Sequence, residues 1–226
     1  MKELSLTTPV QYEEGKASFM GMEITVDPRV LIPRPETELL VRTTSDICIK
    51  LGMEHPLILD VGTGSGIIPV GLARLMKDCR VIGSDISREA LDVALKNVER
   101  LGDDQRIALV AADLLTSFKT SEKGTFDCIV SNPPYVSERD YPLLDAWVKA
   151  EPELALLGGK EGMRVLKALA KQSLRLIKPG GFLAVEVGYD QSRKMKAVLE
   201  SEGSRKVTSF RDDNGYERVI TGFKSG

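Results

Sequence analysis

The sequence predicts an α/β fold: a mostly parallel, seven-stranded sheet with helices on both faces, closed by an antiparallel C-terminal hairpin and preceded by a β-hairpin arm. Three observations carry this. Short apolar runs alternate with segments of helical period from about residue 56 to residue 202. Four of those runs end at polar or glycine-rich positions, namely Asp60 to Gly66, Asp85, Asp113 and Asn132. The last two runs are joined by Asn214-Gly215, a dipeptide that favours a tight hairpin turn.

Taken in order, residues 1–30 hold Gly15, Gly21 and Pro28 among the apolar pieces Ala17 to Met20 and Met22 to Val26, which predicts a hairpin arm ahead of a main domain over 31–226. A helix then starts near Pro35, with Glu36 and Glu38 in its first turn, Leu40, Ile47, Cys48 and Leu51 on its apolar face, and Gly52 as its stop. The first core strand is Pro56 to Val61, followed by Gly62-Thr63-Gly64-Ser65-Gly66 and a helix to about Lys77. Arg80 to Ser84 is the second strand. Ser87 caps the next helix, whose Leu91, Ala94, Leu95, Val98 and Leu101 follow the 3.6-residue period. Ile107 to Ala112 is the third strand, 116–125 a polar loop, and Phe126 to Ser131 the fourth strand. Residues 136–162, with Trp147, Glu151-Pro152 and Gly158-Gly159, read as an irregular segment of the kind that faces substrates. Leu166, Leu169, Ala170, Leu174 and Ile177 mark a helix stopped by Lys178-Pro179-Gly180-Gly181. Phe182 to Val187, a helix from Gln191 to Glu202, and strands Lys206 to Arg211 and Tyr216 to Phe223 complete the chain.

Composition narrows the function classes. The 226 residues are 42% apolar and 28% charged with a net charge of −2, ordinary for one soluble globular unit with a full core. No global basic field favours nucleic acid. Cys48, Cys79 and Cys128 form no CxxC pair and His55 is the single histidine, so neither a disulfide framework nor a metal site is expected. The first residues lack a signal-peptide core and no apolar run is long enough to span a bilayer, which predicts a cytoplasmic protein without membrane association.

Ligands of such sheets sit at the carboxyl ends of the strands, where all the punctuating residues fall. A Gly-x-Gly-x-Gly loop admits a ligand to the backbone, although the same pattern also makes plain tight turns. The dinucleotide fingerprint requires a small residue where this chain has Ile67, which weighs against that cofactor class. Asp85 can accept from two ribose hydroxyls and Asp113 from an adenine amino group, while each alone reads equally as a turn or capping residue. Together they describe an adenosine pocket. In Asn132-Pro133-Pro134-Tyr135 the prolines restrict the backbone, so the Asn132 amide oxygen and the Pro133 carbonyl can converge on a planar NH2 group that Tyr135 would cover. The alternative is a Pro-rich turn after a strand.

The chain resembles the S-adenosylmethionine-dependent methyltransferases, whose amino-methylating motif Asn132-Pro133-Pro134-Tyr135 matches. The motif is shared by adenine-N6 DNA, guanine-N2 RNA and protein glutamine-N5 enzymes. Its surroundings are similar to the bacterial release factor glutamine methyltransferase family: Pro9, Gln11, Tyr12 and Gly15, Phe19 and Gly21, the run Val30 to Glu38, Glu151-Pro152, Gly158-Gly159 and Glu186-Val187-Gly188. That resemblance implies a Rossmann-like fold and transfer of a methyl group from S-adenosylmethionine to the glutamine side chain of the Gly-Gly-Gln loop of a peptide chain release factor. It also implies cofactor contacts at Gly62, Thr63, Gly64, Ser65, Gly66, Asp85, Asp113, Leu114 and Asn132, and catalytic roles for Asn132, Pro133, Pro134 and Tyr135. Nucleic acid is expected only through the ribosomal setting of the substrate. Arg34, Glu36, Glu38 and Phe19 are candidates for closing over it, and Glu186 for a structural cap. Two departures accompany the resemblance: Met1 falls almost at the hinge that follows the family's usual helical domain, which predicts a chain without it, and Leu114 stands where relatives can place an aromatic on adenine. The rival functions are an rRNA or DNA amino-methyltransferase and a non-catalytic cofactor-binding protein.

Overall fold

The computed structural model describes residues 8–101, 103, 105–121 and 123–226; the first seven residues of the expected arm and one position of the 116–125 loop lie outside these. A short helix, α1 (Val10–Glu14), precedes the hairpin strands β1 (Lys16–Phe19) and β2 (Met22–Thr25). Helix α2 (Pro35–Lys50) has proline at its first position and two acids in its first turn, both favourable at a helix N-terminus. Then follow β3 (Leu57–Val61), α3 (Ile67–Leu75), β4 (Arg80–Asp85), α4 (Arg88–Leu101), β5 (Ile107–Ala111) and β6 (Phe126–Ser131). After a 3₁₀ turn at Tyr141–Leu143 come α5 (Ala146–Lys149), α6 (Glu153–Leu156), α7 (Arg164–Leu176), β7 (Ile177–Glu186), α8 (Ser192–Ser201), β8 (Arg205–Arg211) and β9 (Glu217–Phe223).

The seven-stranded sheet runs β5-β4-β3-β6-β7-β9-β8, with β9 antiparallel to both its neighbours and the remaining pairs parallel. Strand order reverses between β3 and β6, which opens a crevice at their carboxyl ends. Alternation sorts the side chains onto two faces. Ile58, Cys128, Val130, Phe182 and Ala184 meet α2, α3 and α4, whereas Leu59, Ile129, Leu183 and Val185 meet α7 and α8.

The hairpin is no detached arm. Phe19, Met22 and Ile24 are buried in the first of these cores, and burying three such side chains stabilises the attachment by about 1.5–3 kcal/mol each. Buried Asn97 of α4 completes the join: its Oδ1 accepts from Thr25 N at 2.7 Å, and its Nδ2 donates to Thr25 O and to Ser65 O, both at 2.9 Å.

Four local expectations need correction. The buried stripe of α4 is Ala90, Val93, Ala94, Asn97 and Val98, and Leu95 is exposed. On that buried side Ala94 comes so close to Gly66 that a Cβ on the glycine would stand 3.2 Å from the Ala94 Cβ. Leu51 is exposed, since the helix ends at Lys50 and the chain turns away at Gly52 with φ +62°. Ile177 belongs to β7 and not to α7: it pairs with Phe126, residues 178–181 bulge out at Pro179 and Gly180, and pairing resumes at Phe182. Residues 136–162 carry two short helices, and a Val136–Leu157 bridge closes the segment on itself.

Candidate active site

The crevice between β3 and β6 opens into a cavity of about 400 Å3. Its floor is set by the ends of adjacent strands, tied together where Ser84 Oγ donates to Asp60 O and Ser131 Oγ to Val61 O. The amides of Gly62 and Thr63 both donate to Ser84 O, and this tight turn requires the positive φ of Gly62 (+75°) and Gly64 (+54°). Beyond the adjoining residues, no atom lies within 4 Å of where a Cβ on either glycine would stand, so the loop faces open space. Gly62, Thr63, Gly64 and Ser65 line the cavity, but Gly66 does not; it packs on α4.

Asp85 has one oxygen on Gly64 N and the other on Ser87 N, each at 2.9 Å. A carboxylate has about four acceptor directions, so two remain for a ligand. Burial pushes the Asp85 pKa above the ordinary carboxylate value, against the backbone bonds of Ser87 and Gly64. Asp113 lines the rim, and Leu114 lines the wall with φ +49°, a conformation uncommon for a residue bearing a Cβ. With Ile86 and Ala112 it gives an apolar slot beside the Asp85 carboxylate. A glycine cradle, a ribose acceptor and an apolar slot suit an adenosine, and together they fit S-adenosylmethionine.

Asp60, at the end of β3, is fully buried, and neither carboxylate oxygen has a hydrogen-bond partner. Burial pushes its acid up to about 8, with Thr63 opposing and Asp85 adding to the rise. The folded chain therefore keeps a proton that the unfolded chain releases above pH 4, and stability is lost as pH rises towards 8. Asp60→Asn should remove that slope: its melting temperature should exceed that of the parent at pH 8–9, with the advantage fading towards pH 4. Parallel melting curves across this range would show that Asp60 is ionised when folded.

At the end of β6, Asn132, Pro133 and Pro134 line the cavity. Asn132 Nδ2 donates to Thr37 Oγ1 at 3.0 Å, and Thr37 Oγ1 donates to Glu186 Oε2 at 2.8 Å. Tyr135, expected to cover a target plane, is not among the residues lining this cavity. Its hydroxyl donates to Glu186 Oε1 at 3.2 Å and its ring lies under Arg218, so a buried carboxylate draws it to the far side of the motif. Burial pushes the Glu186 acid up to about 7, countered by Thr37, Arg218 and Tyr135 and reinforced by Glu36. Glu186 thus sits at the centre of a polar network and does more than cap a loop.

The motif's backbone is held from behind. Val136 N donates to Leu156 O, Gly158 N to Val136 O, and Gln191 Nε2 to Tyr135 O at 2.8 Å. Above the cavity, Glu151 is buried and accepts from Ile32 N at 3.0 Å and from Arg34, whose guanidinium also lies 5.6 Å from the Trp147 ring. Arg34 lines the cavity, whereas Phe19 is core and Glu38 accepts from Met20 N. Thr37, Gly162, Gln191 and the α7 residues Arg164, Val165 and Ala168 were not singled out from sequence. Thr37 lies in the run Val30 to Glu38, Gly162 closes the irregular 136–162 segment and Gln191 opens a helix, but nothing local in the sequence marks their contacts. Among the described residues no cluster of metal-ligating side chains occurs, and no helix is long and apolar enough to cross a membrane.

Residues 58–149 match the methyltransferase domain family. A methyltransferase from Pyrococcus furiosus superimposes with a TM-score of 0.66 over 92% of each chain at 21% identity, which shows the fold. Sheet order and cavity together define a Rossmann-like, S-adenosylmethionine-dependent methyltransferase. Within that class nearly all of the chain aligns with named relatives. The release factor glutamine methyltransferase of Clostridium acetobutylicum is 37% identical over 96% of this chain and 76% of its own length. That of Chlorobaculum tepidum is 41% identical over 94% and 74%. The chain belongs to the release factor glutamine methyltransferase family.

Proposed function

We propose that this protein methylates the side-chain nitrogen of the glutamine in the Gly-Gly-Gln loop of a peptide chain release factor, in the cytoplasm, with residues 31–226 as the catalytic unit and the hairpin arm built onto it. The observation that carries this reading is the Asn132 amide, whose NH2 end is occupied by Thr37 so that Oδ1 is left to accept from a target amide. When bound, S-adenosylmethionine supplies a methyl group on a sulfonium, which leaves as a neutral thioether. Gly62, Thr63, Gly64, Ser65, Asp85, Asp113 and Leu114 are the residues we assign to holding it.

A carboxamide nitrogen is a poor nucleophile because its lone pair is delocalised into the carbonyl. Asn132 Oδ1 and the Pro133 carbonyl, accepting both N–H groups, increase electron density on that nitrogen and orient it. The cavity carboxylate Asp85 ends β4 and Asp113 lies just after β5, and β3 separates both strands from β6 and Asn132. Among the described residues the nearest carboxylate, Glu186, reaches Asn132 only through Thr37, so the surplus proton leaves the methylated nitrogen for water once that nitrogen is cationic. Tyr135 contributes by shaping the Glu186 network.

The test is transfer of labelled methyl to a purified release factor, followed by mass and compared with a Gln→Ala change in its Gly-Gly-Gln loop. Label is expected on the native factor alone. Equal label on both, or label on ribosomal RNA alone, would overturn the substrate assignment.

A further inference from the structure

We infer that Thr37 and Glu186 are positioning residues for Asn132: the buried carboxylate compels the Thr37 hydroxyl to donate towards it, which leaves Thr37 able to hold only the NH2 end of the Asn132 amide and keeps Oδ1 towards the cavity. This rests on the functional reading above, in which Oδ1 receives the target amide.

The logic is one of proton order. An ionised carboxylate only accepts, a hydroxyl has a single proton, and an amide has a donating and an accepting end. With the Thr37 proton committed to Glu186 Oε2 at 2.8 Å, the Oγ1 lone pairs at 3.0 Å from Asn132 can be met only by Nδ2. Thr37 and Glu186 are both fully buried, so no solvent competes to reverse the chain. The other Glu186 oxygen is taken by the Tyr135 hydroxyl. Arg218 of β9 favours the ionised form and Glu36 of α2 opposes it; Arg218 lies 3.8 Å from Glu36 and 3.7 Å from Asp212. A protonated Glu186 can donate to Thr37, and Thr37 can then donate to Asn132 Oδ1, which turns the acceptor end out of the cavity. With the acid raised to about 7, methyl transfer should increase as pH rises through neutrality and then level off.

The test compares Thr37→Val, Thr37→Ser and Glu186→Gln. Thr37→Val and Glu186→Gln should lose roughly 10–100-fold in kcat, the range for partners that orient a catalytic ligand, with KM for release factor and cofactor affinity unchanged. Thr37→Ser should restore the rate, and the neutral-pH limb should vanish in Glu186→Gln. In the substrate-free protein, the ¹⁵N-labelled Asn132 side-chain amide should exchange its protons slowly in the parent and Thr37→Ser and fast in Thr37→Val. Parent-like kcat, pH profile and amide exchange in Thr37→Val would overturn the inference. If the parent methylates no release factor, the substrate assignment falls alone and the amide exchange decides the positioning role.

Discussion

Asn132→Ala is expected to lower kcat by about 10²–10³-fold, the scale for removing one preorganised hydrogen-bonding group from a reacting centre, and to leave S-adenosylmethionine affinity intact. Asn132 follows β6, and among the described residues its side chain bonds only to Thr37, whereas the proposed cofactor residues lie at the ends of β3, β4 and β5. Asp85→Ala should do the converse. Removing a charged acceptor costs about 1.5–3 kcal/mol, or roughly 10–100-fold in the dissociation constant. The same change frees Gly64 N and Ser87 N, so the loop should also lose stability. Calorimetric titration of cofactor and single-turnover transfer separate the two variants. An Asn132→Ala protein that keeps most of its rate, or an Asp85→Ala protein that binds cofactor normally, would remove the residue concerned from its assigned role.

Gly162→Ala should abolish transfer without touching the cavity wall. A Cβ there would stand 2.1 Å from Tyr135 O and 2.5 Å from Gln191 Nε2, on a backbone with φ +68°. The left-handed conformation alone costs a residue with a Cβ about 1–2 kcal/mol. The collision adds to this because the obstacle is backbone, so the strand end bearing Asn132 to Tyr135 must move. Gly215→Ala is the control: its φ is +82°, yet no atom lies within 4 Å of the added methyl. Melting temperature should fall in both, by more at Gly162, and activity should fall only at Gly162. Full activity in Gly162→Ala would show that the motif tolerates displacement of its backbone support.

The contrast between these glycines indicates which features were readable along the chain. Gly62, Gly64 and Gly215 serve turns made within a few residues, and their neighbours announce them: an apolar strand ahead of one loop, Asn214 beside the other. Gly162 serves a contact with Tyr135, 27 positions away, and nothing around it in the sequence refers to that carbonyl. Leu95 shows the same limit, since its spacing is as helical as that of the buried stripe, and the inward side of α4 is the one whose Ala90, Val93 and Val98 join the core and whose Asn97 bonds Thr25 and Ser65.

By itself the sequence determined the strand and helix order, the glycine loop, Asp85 and the Asn132 motif at consecutive strand ends, because periodicity, capping and turn chemistry act over a few residues. Tertiary structure alone decided that the Tyr135 hydroxyl meets Glu186, that Thr37 from α2 meets Asn132 after β6 and Glu186 from β7, and that Arg34 is held by Glu151. The physical reason is burial. A carboxylate removed from water must gather donors from whatever elements surround it, and those elements are brought together by hydrophobic packing that is indifferent to their distance along the chain.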